Sequence, residues 1–306
     1  IYQLKASLVQ GDVNHVIDHS YSHLLYTLDS KKTVVTFHDA IGIKFQNESS
    51  AGVENGHPLN LIKHYNLSGL NRAATVICDS ESSHKDFLTY TGYPAEKAEV
   101  VYPGVEELFF RSSDNGSKEC FGLARCEYLL HVGHTQFYKN IPALFHVLKI
   151  LNHSFKKGIK LVKAGTSFTR EQEELAEKLG VRGDIIHLGV VEDHLMPELY
   201  RACDILIFPS LYEGFGFPVL EAMASGIPVV TSNRGSLPEV VGEAGVLIDP
   251  LDYEAMAKTV VSILEEPVLR AKLSEAGRRR ARLFNWETTA KRTLEIYREV
   301  YRESKR

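Results

Sequence analysis

Residues 204–226 constrain the chain more than any other stretch. They open with the apolar run 204–208 (DILIF), bounded by Pro209 and Ser210, which reads as a buried parallel strand. A loop with Gly214 and Gly216 follows. A helix is then expected from Pro218, since proline is favoured at the first helical position, with Gly226 and Pro228 as its stop. Strand, glycine loop and helix N-terminus form an anion-binding arrangement, because the first-turn amides are not used by the helix and its dipole adds positive potential. The backbone N–H groups of Gly216, Phe217 and their neighbours would face a diphosphate or the hydroxyls of a sugar beside it. Two carboxylates frame the loop, Glu213 before it and Glu221 in the expected first helical turn. The dipole alone explains an acid at Glu221. Glu213 lacks that explanation: it stands at the carboxyl end of a parallel strand, where open α/β sheets bind ligands, and an ionised carboxylate suits vicinal hydroxyls.

The rest of the chain alternates strand and helix. Strands are expected at 14–18, 33–37 and 75–78, with a helix-like stretch at Leu24, Leu25 and Leu28 and a helix opened by residues 79–82, and residues 99–105 close the domain. Residues 44–58 read as a long acceptor loop and 59–71 as helical. The polar cluster 111–118 reads as an interdomain linker. Beyond it come strand 128–132, a loop 133–139, helix 141–151, strand 160–163, a Thr169/Gln172 capping box, strand 185–188, helix 193–203, strands 228–231 and 245–248, and helices 253–264 and 267–284. This is the pattern of a doubly wound sheet. An amphipathic segment, 286–301, ends the periodic sequence.

Glu213 and Glu221 are eight apart. With the surrounding words ACDILIFPSLYEGFGFPVLEAMASGIPVVTS and GSLPEVVGEAGVLIDP, and VVYPGV at 100–105, the chain resembles the retaining glycosyltransferases of the GT-B fold with an E-x7-E signature, family 4, group 1. The resemblance implies two Rossmann-like doubly wound domains facing a cleft. The acceptor-side domain would span 1–112, without the earlier strand that carries a glycine-rich loop, and so is expected to be incomplete. The nucleotide-sugar domain would span 113–285, and the helix 286–306 would cross back to the first domain. It further implies that His38 hydrogen-bonds the donor sugar, that Glu213 contacts the sugar hydroxyls, and that Glu221 holds the ribose. Lys139 would neutralise the leaving diphosphate, and Gly133, Val190, Gly214, Phe215, Gly216 and Phe217 would line the donor through their backbones. The family's second cation is an arginine beside the loop glycine. Here that place holds His134, which could supply the charge if protonated beside phosphate.

The expected function is metal-independent, retaining transfer of a hexosyl group from a UDP- or GDP-sugar to a glycan, glycolipid or small hydroxyl acceptor, with no cofactor. No D-x-D motif is present to hold a divalent ion, so the leaving charge falls to Lys139 and backbone amides. The alternative is a non-catalytic nucleotide-sugar-binding or partner subunit. A sugar phosphorylase and a nicotinamide-dependent dehydrogenase rank lower, the latter because no G-x-G-x-x-G follows an expected strand. His15, His19 and His23 are spaced by four but interrupted, which argues against a metal site. A net charge of −4 gives no footprint for nucleic acid. Four scattered cysteines and no run of membrane-spanning length fit a cytoplasmic protein. The arginines at 278, 279, 280 and 282 read as a solvated face, or as a peripheral contact with an anionic membrane surface.

Overall fold

The computed structural model describes residues 2–45, 68–111, 118, 121–123 and 126–306. They divide into two compact units, Ile1–Gly104 with Asn285–Arg306, and Val105–Phe284. The chain thus leaves the first unit at Gly104, against an expected boundary at 112. Most of the expected linker, the acceptor loop beyond residue 45 and the expected helix up to residue 67 lie outside the described residues.

In the first unit, helix α1 (Tyr2–Leu8) precedes four parallel strands, β1 (Asn14–Val16), β2 (Thr33–Phe37), β3 (Thr75–Cys78) and β4 (Ala98–Val100), in the order β1-β2-β3-β4. β2 is buried at every residue, as its continuous TVVTF run requires of an inner strand. The stretch after β1 is a 3-10 helix, His19–Tyr26, started by Asp18, whose side chain accepts from the Ser20 amide. Short α2 (Ile41–Lys44) follows β2. After β3 the expected helix forms as α3 (Glu81–Thr91), with the Ser80 side chain accepting from Ser83 N and Gly92 closing it at φ 65°. The C-terminal helix, Trp286–Ser304, belongs to this unit: Ile296 and Val300 are buried with Val34, Ile77 and Val101.

The second unit is a six-stranded parallel sheet. Its elements run β5 (Tyr128–Val132), α4 (Ile141–Lys149), β6 (Lys160–Ala164), α5 (Arg170–Leu179), β7 (Ile185–Gly189), α6 (Met196–Ala202), β8 (Ile205–Phe208), α7 (Phe217–Ser225), β9 (Val229–Ser232), α8 (Leu237–Val241), β10 (Val246–Ile248), α9 (Tyr253–Glu265) and α10 (Pro267–Ala281). The spatial order is β10-β9-β8-β5-β6-β7. The chain winds outward one way from β5 and the other way from β8, so the winding reverses between these two adjacent strands. Ligands of such sheets bind beyond the carboxyl ends of the strands at that reversal. The capping box forms as expected, Thr169 and Gln172 each accepting from the other's amide.

The arginine run is largely exposed, as expected of a solvated face, yet two of its members also bind backbone carbonyls. Arg278 donates to the Ser225 carbonyl at the end of α7, and Arg280 donates to the Glu239 and Val240 carbonyls at the end of α8. Both close helix C-termini, where carbonyls lack intrahelical donors and the dipole favours a cation. Arg279 pairs with Glu275 at 2.6 Å, and Arg282 lies over the Phe110 ring.

Candidate active site

The site is built from two loops at the point of reversal, 133–140 after β5 and 209–216 after β8. They are fastened to each other. Leu211 N donates to Tyr138 O at 2.7 Å, and the Asn140 amide donates to Pro209 O at 3.1 Å and Pro250 O at 3.0 Å. Asn140 has φ 52°, a conformation its short polar side chain tolerates, and this turns the chain sharply into α4. With the loops so held, Lys139 Nζ donates to Glu213 Oε1 at 2.6 Å, and both side chains are more than nine-tenths buried. The ammonium also lies 4.9 Å from the Phe208 ring centre.

Gly133 has φ 138°, and a Cβ there would stand 3.9 Å from Lys139 Nζ, so the ammonium rests beside the glycine backbone. α7 opens at Gly216, φ 108°, one residue earlier than expected, with Phe217 and Pro218 in its first turn. The loop is held from below by a side chain that the sequence reading missed. Ser236 Oγ shares its one hydrogen between the carbonyls of Phe215 (2.7 Å) and Glu213 (3.1 Å). Gly235 permits this approach, because a Cβ there would lie 2.9 Å from both Glu213 N and Glu213 O. Phe215 is buried against Phe217 and Phe284, whereas Phe217 is partly exposed.

One expectation needs correction. Glu221 lies in the second turn of α7, not the first, so the helix dipole does not account for it. One of its oxygens accepts from the buried Tyr200 hydroxyl at 2.7 Å. Burial pushes its carboxyl above the usual range, against that hydrogen bond, with Asp193 and Glu106 adding to the rise. His134, expected to be charged only beside a phosphate, is shifted away from the charged form by its protein surroundings. Burial first, then Lys139 and Lys163, depress it to about 4, and its Nε2 is 3.0 Å from the Tyr138 hydroxyl. A neutral imidazole fits that contact.

Val190 lies beyond β7 at the same end of the sheet and is 86% exposed. In the first unit His38 follows β2. Its Nδ1 is 2.6 Å from Asp79 Oδ2 and its Nε2 2.8 Å from Ile17 O. An ionised carboxylate and a carbonyl only accept, so both ring nitrogens donate and the ring is an imidazolium. The hydrogen bond to Asp79 raises it to about 9, against desolvation. His15, His19 and His23 do not converge: His15 bridges Tyr297 OH and Thr36 Oγ1, His19 packs on Phe37, and His23 lies beside Tyr21. Among the described residues no group of three or more metal-ligating side chains is assembled, and no helix is long and apolar enough to cross a membrane.

A parallel sheet with a glycine loop at its reversal and a buried Lys–Glu pair beside it defines a Rossmann-like unit, here joined to a second parallel-sheet unit. The family profile described as Glycosyl transferases group 1 matches residues 124–280, and that described as Glycosyltransferase Family 4 matches residues 2–107. The chain is 30% identical over 278 residues to the O-antigen chain mannosyltransferase B of Escherichia coli, covering 87% of this chain and 70% of that one. It is 40% identical over 247 residues to the D-inositol 3-phosphate glycosyltransferase of Salinispora arenicola, covering 74% of this chain and 55% of that one. Among solved structures, sucrose-phosphate synthase from Thermosynechococcus elongatus aligns with TM-score 0.79 at 23% identity over 95% of this chain and 74% of that one. Anabaena Alr3699/HepE in complex with UDP and glucose aligns with TM-score 0.74 at 21% identity over 87% of this chain and 71% of that one. The chain belongs to the group 1, family 4 glycosyltransferases and has their GT-B fold.

Proposed function

We propose that the chain transfers a hexosyl group from a nucleoside-diphosphate sugar, a UDP- or GDP-sugar, to a hydroxyl of a glycan, glycolipid or small acceptor, with retention at the anomeric carbon and without a metal ion. The observation that carries this reading is the buried Lys139–Glu213 pair beside the glycine loop at the sheet's reversal. A buried cation and carboxylate hold each other, since either alone would be costly in low dielectric. A donor would exchange both partners. The diphosphate takes the Lys139 ammonium as a point charge, and the sugar hydroxyls donate to Glu213.

The remaining assignments follow the same chemistry. The amide end of α7, at Gly216 and Phe217 with Gly214 and Phe215 before it, offers N–H groups and dipole to the phosphate and sugar. Glu221, one oxygen fixed by Tyr200, presents its other oxygen to the ribose hydroxyls. Gly133, His134 and Val190 line the nucleotide. His38, an imidazolium oriented by Asp79, would have to exchange the Ile17 carbonyl for a sugar hydroxyl at its Nε2, since both of its N–H groups are otherwise taken. In the transfer, the anomeric carbon–oxygen bond to the diphosphate breaks and the acceptor oxygen bonds to that carbon on the same face. The departing phosphate oxygen takes the acceptor's proton. Fixed charges and dipoles that meet the growing negative charge of the leaving group are the main source of rate in such a site. The two relatives named as a mannosyltransferase and a glycosyltransferase support this reading, as does the UDP bound by the Anabaena structure.

The test is turnover of UDP- and GDP-sugars in chelator, with the product's anomeric configuration read by NMR, for wild type and Glu213→Gln. Turnover with retention that falls by about 100-fold or more in Glu213→Gln supports the assignment. A folded wild type that binds a nucleoside diphosphate but turns over no donor would instead favour the binding-subunit alternative.

A further inference from the structure

Lys163 is out of place by the rules of its own strand. β6 is an inner strand of a parallel sheet, buried from Leu161 to Ala164, where apolar residues are the norm. Yet Lys163 is fully buried, and among the described residues no carboxylate lies within ion-pair distance of it. Its register neighbours are His131 on β5 and His187 on β7, so three basic side chains cross the sheet in one row near the candidate site. An uncompensated buried ammonium is costly, and a fold that needed only packing here would have an aliphatic residue.

The ammonium is held instead by carbonyl oxygens. Lys163 Nζ donates to Gly133 O at 2.6 Å, to Ala164 O at 2.8 Å and, more weakly, to Thr166 O at 3.4 Å, which uses all three of its hydrogens. The surrounding backbone is shaped for this. Gly165 has φ 110°, and a Cβ there would lie 2.1 Å from Gly133 O and 3.2 Å from Lys163 Nζ. Gly133 is therefore gripped on two sides, its carbonyl by Lys163 and its Cα flank by Lys139.

We infer that Lys163 is a positioning residue of the donor site: it draws the Gly133 carbonyl inward, so that the loop can approach a diphosphate, and fixes a positive charge beneath that loop. The inference rests on the donor-site reading above and explains how the site keeps a second cation while His134 is neutral. Because all three hydrogens go to backbone, Lys163 acts through the loop and through its field, not by touching the ligand. Burial first, and then Lys139, lower its ammonium to about 8. The other titratable groups facing it are His131 on β5, held neutral by burial, His134 and Lys139 in the loop, and His187 on β7, whose Nε2 contacts Gly165 O. An anion bound above the loop favours the charged form, so affinity for the anion should fall as pH rises above about 8 and Lys163 discharges.

The experiment is calorimetric titration of the whole chain with UDP and with GDP at about pH 7 and about pH 9, for wild type, Lys163→Met and Lys163→Arg, with thermal melting to check each fold. The expected result is binding by the wild type, an affinity at least ~10-fold lower in Lys163→Met, and a decline toward high pH that Lys163→Arg, always charged, does not share. A folded Lys163→Met that binds like wild type overturns the inference and leaves the donor-site reading standing. Failure of the wild type to bind either nucleotide overturns both. Should Lys163→Met not fold, the arginine variant decides: a pH decline parallel to wild type's overturns the inference.

Discussion

Single residues in this chain carry charges that their neighbours have moved. His38 is the clearest case. Two acceptors, Asp79 and Ile17 O, clasp its ring, and the bond to Asp79 lifts it from 6.5 to about 9. A histidine whose folded value is raised adds stability that is complete below about 6.5 and fades as the pH climbs through about 9. Asp79→Asn should return the ring toward its ordinary value, which an NMR titration of His38 will show as a downward shift of about two units. The stability gap between wild type and variant should be largest in mild acid and close in base. An unchanged His38 titration in Asp79→Asn would mean that the carboxylate does not hold the ring. This dyad could not be read from the sequence, since His38 and Asp79 follow neighbouring strands 41 residues apart and only the β2–β3 pairing brings them together. Lys139 was legible because a lysine between a glycine loop and a helix start has few other uses. Lys163 was not, because the strand pattern around it gives no sign that its ammonium finds three carbonyls.

At the scale of elements, the strand, glycine loop and helix of the site were legible from local chemistry. Gly216 and Gly226 take the positive φ that only glycine adopts readily, and Pro218 sits in the first turn of α7. What fastens one loop to the next was not legible, because it depends on tertiary approach. Gly235 illustrates the point: in the sequence it is an ordinary turn glycine, and in the fold it is the gap through which Ser236 reaches the Glu213 carbonyl. Gly235→Ala would place a methyl 2.9 Å from two backbone atoms of Glu213 at φ 60°. Strain of this kind costs about 1–3 kcal/mol, and the chain will relieve part of it by displacing Glu213. The expected outcome is a lower midpoint in urea together with reduced donor turnover, whereas wild-type values in both measurements would show that the contact between the two loops is not needed. The partners of the arginines in α10 were not legible for a related reason, since a run of charges reveals them only once the ends of α7 and α8 lie beside it.

On the scale of the whole molecule, the chain's last helix closes the unit in which the chain begins. Gly104 lets the return segment approach, as a Cβ there would lie 2.3 Å from Trp286 N. Thr289 Oγ1 then donates to Tyr102 O at 2.7 Å, Arg292 pairs with Glu99, and the Tyr297 hydroxyl meets His15 Nδ1 at 2.6 Å. Below these polar contacts, Ile296 and Val300 are buried to 2% exposure or less against Val34, Ile77 and Val101. A four-stranded sheet needs such a cover, because parallel strands buried on both faces present apolar residues to each side. Removing residues 285–306 would uncover β2 and β3 at Val34 and Ile77, and losing two buried aliphatic side chains alone should cost about 3–6 kcal/mol. Hydrogen exchange should therefore show the amides of β2 and β3 losing protection in the shortened chain, more than those of the β5–β6 ladder, which lies in the other unit. Equal loss in both sheets would mean that the helix stabilises more than the sheet it covers, and no loss in β2 and β3 would show that the first unit holds its core without it.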